Sequence, residues 1–576
     1  MTVSNDHYPG QQHPGHNPPA GQPGAAGESA PTQWIGTGQP PPPDPGTGVP
    51  AGSDEGGGSR GRWIVPVAAV AAVALIGGGA FAAYTVLSGG GQQPAEAIPG
   101  SAIAYGRIDL DPSAEQKINA LRLLREVPQF EEATGITSDT DDLRRRLFES
   151  ALEGEDECSD IDYADDIEPW IGDRAGAAAM PVADGGEPTP LLVLQVTDED
   201  AAQTGIEALL ECGSSADDET TAEGLSFVGD YALIAETQDD ADTYASEAEE
   251  SPLSDDEAFA ADMDALGGEG LMSFWVDLDA VVTATEQDEP EVGEVLSALG
   301  IEDLGSVSAA VRAQSDALEL VYAGDSDALS ILTPGGGSTT AVGDTLTLPE
   351  STMFAMGFTG GGESIDALWT KLEELADTGA AGSDFPAGSL DLFADQVEAE
   401  TGFVLPDDLS TLLGEEFTFA VDGEGFDFVT DEGAPDFGSI NVGMLLRTDV
   451  DAASDLVSRA QEALATQGAP FELVQEEVDG GLVVAANDDY AGALAEGGDL
   501  GGSDAFTAAV ADGDDAVGVL FLDFDRVSEV VDRVAEDAGQ QVPAEVSEGL
   551  DVLRAFGAST VVDDDYTRTT MRLVFD

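Results

Sequence analysis

The chain has 576 residues, 42% of them hydrophobic, which is enough length and apolar content for two or more core-bearing domains and excludes a wholly disordered protein. Against 115 Asp and Glu stand only 19 Lys and Arg, a net charge of −96. Binding to phosphate backbones needs a basic footprint that this composition lacks, so nucleic acid is excluded as a partner and anionic lipid surfaces are disfavoured.

Residues 1–60 are dominated by Pro, Gly and Gln, as in QPPPPDPGTG, and hold few large apolar side chains. They cannot bury enough surface to offset ordering entropy, so a disordered tail is expected there, with Pro40 to Pro43 as a solvated polyproline spacer. Trp63 to Leu87 is uncharged and apolar over 25 residues. As a helix it would rise about 37 Å against a hydrocarbon core of about 30 Å, so one transmembrane helix is expected over 63–87. Arg60 and Arg62 flank its front, which by the positive-inside rule puts the N-terminus in the cytoplasm and everything after Leu87 outside a plasma membrane. Residues 88–100, SGGGQQPAEAIPG, read as a flexible linker. Because residues 1–87 hold 5 acids and 2 bases, residues 88–576 carry a net charge of −93, a self-repulsion that salt screens.

RIDLDPSAEQKINAL, Arg107 to Leu121, reads as a strand that ends on aspartate and turns into a helix. The D-x-D junction is Asp109/Asp111 here and recurs as Asp277/Asp279 and Asp523/Asp525. Paired carboxylates on one strand face can hold a hard cation such as calcium, but no D-x-D-x-D-G loop with a distal Glu occurs. The favoured reading makes Asp111, Asp279 and Asp525 helix N-caps, with Asp109, Asp277 and Asp523 ending their strands. Pro112 would then open the first helix, with Ile118, Leu121 and Leu124 facing the core. Cys158 and Cys212 are the only cysteines and both lie on the exterior side, where a pair is expected to form a disulfide. In EPWIGDRAG, Trp170 is expected to anchor a core and Arg174 to pair with nearby carboxylates. Hairpin turns are expected at Gly229-Asp230 and at Asp563 to Asp565, and a helix over SEVVDRVAEDAG.

Five segments recur in order at offsets of 242 to 252 residues: 102–111 with 352–361, 170–180 with 412–422, 191–202 with 442–453, 274–282 with 520–528 and 303–311 with 555–562. The mixture of alternating strands and amphipathic helices without a strict βαβ rhythm indicates an α+β fold. Two tandem duplicated halves of antiparallel sheet with packed helices are expected, at 101–345 and 346–576.

SAIAYGRIDLDPSAEQK, EPWIGDRAG and the D-x-D repeats resemble the bacterial family called domain of unknown function 3352. The resemblance covers roughly residues 98–576. It implies an actinobacterial type of single-pass membrane protein and carries no assigned activity, so no functional residue transfers from it.

All three histidines, His7, His13 and His16, fall in the tail, which removes Ser-His-Asp and Cys-His catalysis and His-bound zinc from the exterior part. No phosphate-binding loop of the G-x-x-x-x-G-K-[ST] type is present. No catalytic residue, metal site or cofactor is expected. The function expected is that of a membrane-anchored extracellular binding or scaffold protein without catalysis. Its partners would be the membrane and a cell-envelope protein, glycan or lipid, with the oligomeric state left open. The alternatives are a carboxylate-only cell-wall glycan hydrolase and a lipid or lipoprotein carrier. Two carboxylates about 5–9.5 Å apart in a cleft would mark the hydrolase, and an apolar groove the carrier.

Overall fold

Half-buried and buried residues alternate without a break along β1 (Ala104–Asp109) and β2 (Ile171–Met180), the period of a strand whose two faces meet different surroundings. The computed structural model describes residues 93–109, 119–120, 122–123, 144–145, 148, 158, 161–182, 188–213, 224–268, 270–285, 304–325, 338–378, 388–424, 439–466, 472–537, 539–563 and 566–576. Among them, sixteen strands form one sheet in which every neighbouring pair is antiparallel. The α+β class read from the sequence is thus the class observed.

The first eight strands continue with β3 (Thr189–Val196), β4 (Gly224–Val228), β5 (Tyr231–Ala235), β6 (Met272–Asp277), β7 (Ser306–Ala313) and β8 (Ala317–Asp325). Helices α1 (Glu199–Gly213), α2 (Gln238–Glu250), α3 (Glu257–Ala265) and α4 (Leu278–Thr285) lie between them. The strands stand in the order β4-β5-β3-β2-β1-β6-β7-β8. The second eight are β9 (Thr352–Thr359), β10 (Glu416–Asp422), β11 (Val442–Arg447), β12 (Val474–Val478), β13 (Gly481–Ala485), β14 (Gly518–Asp523), β15 (Leu553–Val562) and β16 (Tyr566–Phe575). Their order is β12-β13-β11-β10-β9-β14-β15-β16, the same sequence of places as in the first eight. The helices of this part are α5 (Gly361–Thr378), α6 (Ser389–Thr401), α7 (Asp407–Leu413), α8 (Val450–Thr466), α9 (Asp488–Glu496), α10 (Asp504–Ala509), α11 (Phe524–Asp537) and α12 (Ala544–Leu550).

Among the described residues, one face of the sheet carries the two largest cores. In the first, Ala241, Ala245 and Ala248 of α2, spaced on one helical stripe, pack with Phe259 and Met263 of α3 on Tyr105, Ala178, Leu191, Leu233 and Trp275. Phe259 stands edge-on to both Tyr105 and Trp275, with ring centroids 5.4 Å apart in each case. In the second, Tyr490 and Leu494 of α9 and Phe506 of α10 cover Ala420, Leu445, Val483 and Phe521. The helices start alike, since Thr237 accepts from the Asp240 amide and Asn487 from the Tyr490 amide just after a β-hairpin. The hairpin β4–β5 turns at Gly229, whose positive φ of 56° favours glycine. The β15–β16 hairpin pairs Val562 with Thr567, where the sequence predicts a turn.

The two sets of eight strands join where β8 pairs with β16, Leu320 opposite Met571. Buried Glu319 sits at this seam between Arg572 Nε, 2.8 Å away, and Arg312 Nη1, 3.1 Å away. Burial works to raise the Glu319 pKa, but the hydrogen bonds and charges of Arg572 and Arg312 outweigh it and hold the carboxyl below its ordinary value. A depressed folded-state pKa gives stability that is full above the unfolded value of about 4.3 and is lost as pH falls through the folded value. Glu319→Gln is therefore expected to lower the urea midpoint at neutral pH and to shrink its drop between about pH 4.3 and lower pH. A variant whose midpoint falls as steeply with acid as the parent's would remove Glu319 from that role.

Two expectations are corrected. Part of the linker read at 88–100 belongs to the first core: Pro94–Glu96 forms a 3-10 turn, and Ala95, Ala97 and Ile98 are buried beneath Leu253 and Met180. Its Gly- and Gln-rich beginning hid an apolar end that finds a partner. The boundary at 345/346 also shifts toward the N-terminus, because Val342 belongs to the second core and the Thr359 hydroxyl donates to Ser338 at 3.0 Å. The tail at 1–60 and the apolar stretch at 63–87 lie outside the described residues. Among the described residues, no helix is long and apolar enough to cross a membrane.

Candidate functional site

The opposite face of β1 and β2 is lined by unusually small residues. Ala104, Gly106 and Ile108 of β1 share it with Ala175, Ala177 and Ala179 of β2, all half-buried, while Arg107, Asp109, Arg174 and Met180 point into the covered side. Pairing places Gly106 opposite both Ala177 and Phe274, and Ile108 opposite Ala175 and Met272. With Leu192 of β3 and Val276 of β6, these residues line a cavity of about 250 Å³. Its described lining holds no carboxylate, histidine, serine or cysteine.

The second set of strands shows why the space exists. Counted from the matching strands, Ala104, Gly106 and Ile108 correspond to Phe354, Met356 and Phe358, and Ala175 and Ala177 correspond to Phe417 and Phe419. There the rings fill the face: Phe358 and Phe417 stand 5.4 Å apart and Phe354 and Phe419 6.1 Å apart. The alanines and glycine of β1 and β2 leave that volume unfilled by the described residues. A smaller apolar cavity of about 160 Å³, bounded by Phe419, Val442, Met444, Leu473 and Val484, lies farther along the same face. Toward the sheet centre the apolar surface is covered in part by Ala120 and Leu123, packed among Met272, Val311 and Phe575.

Directly behind the groove floor lies a buried ionic cluster. Asp109, opposite Arg174 in the β1–β2 register, accepts from its Nε at 3.0 Å and lies 4.0 Å from Arg107 Nη1. Arg107 also donates to Gln93 at 2.6 Å, to Ser273 at 3.1 Å and to the Gly270 carbonyl at 3.1 Å. Burial pulls the Arg174 pKa down, yet its hydrogen bond to Asp109 and that carboxylate's charge raise it overall, and burial pushes the neighbouring Tyr231 phenol up. The cluster fixes the relative register of β1 and β2 and hence the groove floor.

Cys158 and Cys212 are joined, with Cα atoms 5.1 Å apart, tying the segment before β2 to the end of α1. Trp170 is 1% exposed in the core beneath α1, and its Nε1 donates to the Asp166 carbonyl at 2.6 Å. Asp109, Asp277 and Asp523 are the last residues of β1, β6 and β14, as read from the sequence. The capping assignment shifts: Asp277 accepts from the Ala280 amide at 2.8 Å and Asp523 from the Arg526 amide at 3.1 Å. Asp279 and Asp525 do not cap. An N-cap needs extended backbone, and in D-x-D that is the final strand residue, because the intervening Leu278 or Phe524 is already helical. Asp279 instead accepts from the Leu304 and Gly305 amides at 2.9 and 3.0 Å, holding the entry to β7. Asp525, its pKa raised by burial and by the charges of Asp576 and Asp523, faces Arg554 at the entry to β15. Asp111, Pro112, Ile118, Leu121 and Leu124 lie outside the described residues. Among the described residues no group of three metal-type side chains is placed to hold an ion.

The groove is what sequence reasoning missed. Its signal was present in the alignment of WIGDRAGAAAM with LLGEEFTFAVD, where alanine stands against phenylalanine on alternate positions. Residues 68–228 match the model of a family described as protein of unknown function (DUF3352), the family that DLDPSAEQK and PWIGDRAG resemble. No curated protein matches the chain.

Proposed function

We propose that this chain is a membrane-anchored extracellular protein without catalysis that binds an apolar chain in the groove of β1, β2, β3 and β6. The observation that carries the reading is the substitution of Ala and Gly in one set of strands for Phe and Met in the other, on the face that holds the cavity. The shared strand order and the five recurring segments support a duplication in which one copy kept the space and the other filled it. A described lining without carboxylate, serine, histidine or cysteine favours binding over hydrolysis. The family match begins at residue 68, inside the apolar stretch that supports anchoring.

The cavity is larger than the roughly 150 Å³ that admits benzene and smaller than the roughly 300 Å³ at which drug-sized pockets begin, which suits part of one acyl chain. Burying on the order of eight methylenes at about 0.8 kcal/mol each corresponds to a dissociation constant in the tens of micromolar. The test places the full chain in phosphatidylcholine vesicles doped with a lipid whose acyl chain carries a diazirine. Photolysis is expected to label peptides from β1, β2 and β6. Ala175→Phe with Ala177→Phe, which copies Phe417 and Phe419, is expected to cut that labelling at least about tenfold with the melting temperature changed little, since the rings enter empty space. Labelling elsewhere, or labelling that the double variant leaves intact, refutes the reading.

A further inference from the structure

We propose that the groove draws its occupant from the outer leaflet of the protein's own membrane and selects single acyl chains with uncharged or zwitterionic headgroups, discriminating against anionic ones. The inference rests on the reading that the groove binds an apolar chain.

Position supplies the source. Pro94 lies behind β2, so close that a Cβ added to Gly176 would come within 2.7 Å of its own Cβ. Gly176 is flanked by Ala175 and Ala177, which line the groove. Only residues 88–93 separate Pro94 from Leu87, the end of the apolar stretch, and they reach at most about 25 Å at full extension. Pro94 is therefore held within about that distance of the end of the apolar stretch, with the groove floor one strand thickness beyond it, close to a bilayer in which acyl chains are the abundant apolar ligand.

Charge supplies the selection. Residues 88–576 carry a net charge of −93, a field that an anionic headgroup must enter and a neutral one need not oppose. Arg107 contributes to the lining, but its guanidinium lies on the covered side, committed to Gln93, Ser273 and the Gly270 carbonyl, and Arg174 behind it is committed to Asp109. On the groove face itself the next polar residue along β2 is Asp173, whose charge Arg144 balances at 3.0 Å, so the discrimination comes from the net field of the chain rather than from this acid.

The experiment compares three photoreactive probes of one diazirine chain, a monoacylglycerol, a lysophosphatidylcholine and a lysophosphatidylglycerol, in vesicles carrying the full chain. At low salt the first two are expected to label β1 and β2 peptides and the third on the order of tenfold less, the gap closing near 1 M sodium chloride, where the Debye length is about 3 Å. Probe delivered from separate vesicles is expected to label more slowly than probe in the same membrane. Equal labelling by all three at low salt, a gap unchanged by salt, or equal speed from separate vesicles overturns this inference while leaving an apolar groove standing. Absence of groove labelling by every probe overturns the binding reading itself, and would mean that the chain's own residues or a second copy occupy the face.

Discussion

Asp109→Ala is expected to destabilise the protein by about 3–5 kcal/mol, because it leaves two buried guanidinium groups without the carboxylate between them. Asp109 is fully buried, and Arg107 and Arg174 are 3% and 5% exposed, so water cannot replace the lost partner without opening the sheet. Removing the charge pair together should cost less than the sum of the single changes. In Asp109→Leu with Arg174→Met one guanidinium rather than two has lost the carboxylate, since Arg107 stays charged and is held by Gln93, Ser273 and the Gly270 carbonyl. Urea unfolding of Asp109→Leu, Arg174→Met and the double variant measures the coupling. A cost below about 1 kcal/mol for Asp109→Ala would mean that the cluster is hydrated rather than buried.

Opening the bond between Cys158 and Cys212 is expected to cost about 4 kcal/mol, the loop-closure value for a separation of 54 residues. The bond ties together two segments that otherwise meet through the core of Trp170, Ile167 and Ile206. The double change Cys158→Ser with Cys212→Ser should therefore lower the unfolding midpoint as much as reductant lowers the parent's, and reductant should leave the variant unmoved. A parent that melts identically with and without reductant would show that the cross-link closes no loop that the core has not already closed.

Strands with strict alternation were legible because each carries its own period: AIAYGRID and WIGDRAGAAAM declare two faces without reference to anything else. Trp170, Arg174 and the disulfide were legible for a similar reason, since residue type, and for the two cysteines their being the only pair, nearly decide them. The register of the caps was not. D-x-D places two good capping residues two apart, and only the point where extended backbone ends separates Asp277 from Asp279. The buried end of the linker was masked by averaging, because Ala95, Ala97 and Ile98 sit beside a run of Gly and Gln. The groove was the hardest to read, since an alanine on a strand gives the same signal whether a helix, a ligand or nothing lies above it. What distinguishes Ala177 is Phe419 at the matching place of β10, a comparison that needs strand pairing before it has meaning.

The seam has a consequence for biosynthesis. β8 takes its outer partner from β16, about 240 residues later in the chain. At roughly 5–20 residues per second, β8 is synthesised on the order of 12–50 s before the strand that covers its edge. During that interval the first eight strands can pair among themselves, but their open border is an alternating apolar strand with Leu318, Leu320 and Tyr322 on one side, the kind of edge that templates other chains. Crowded nascent copies would meet edge to edge through β8, so the rate of elongation, more than the stability of the finished sheet, sets how much of the protein reaches its own β16.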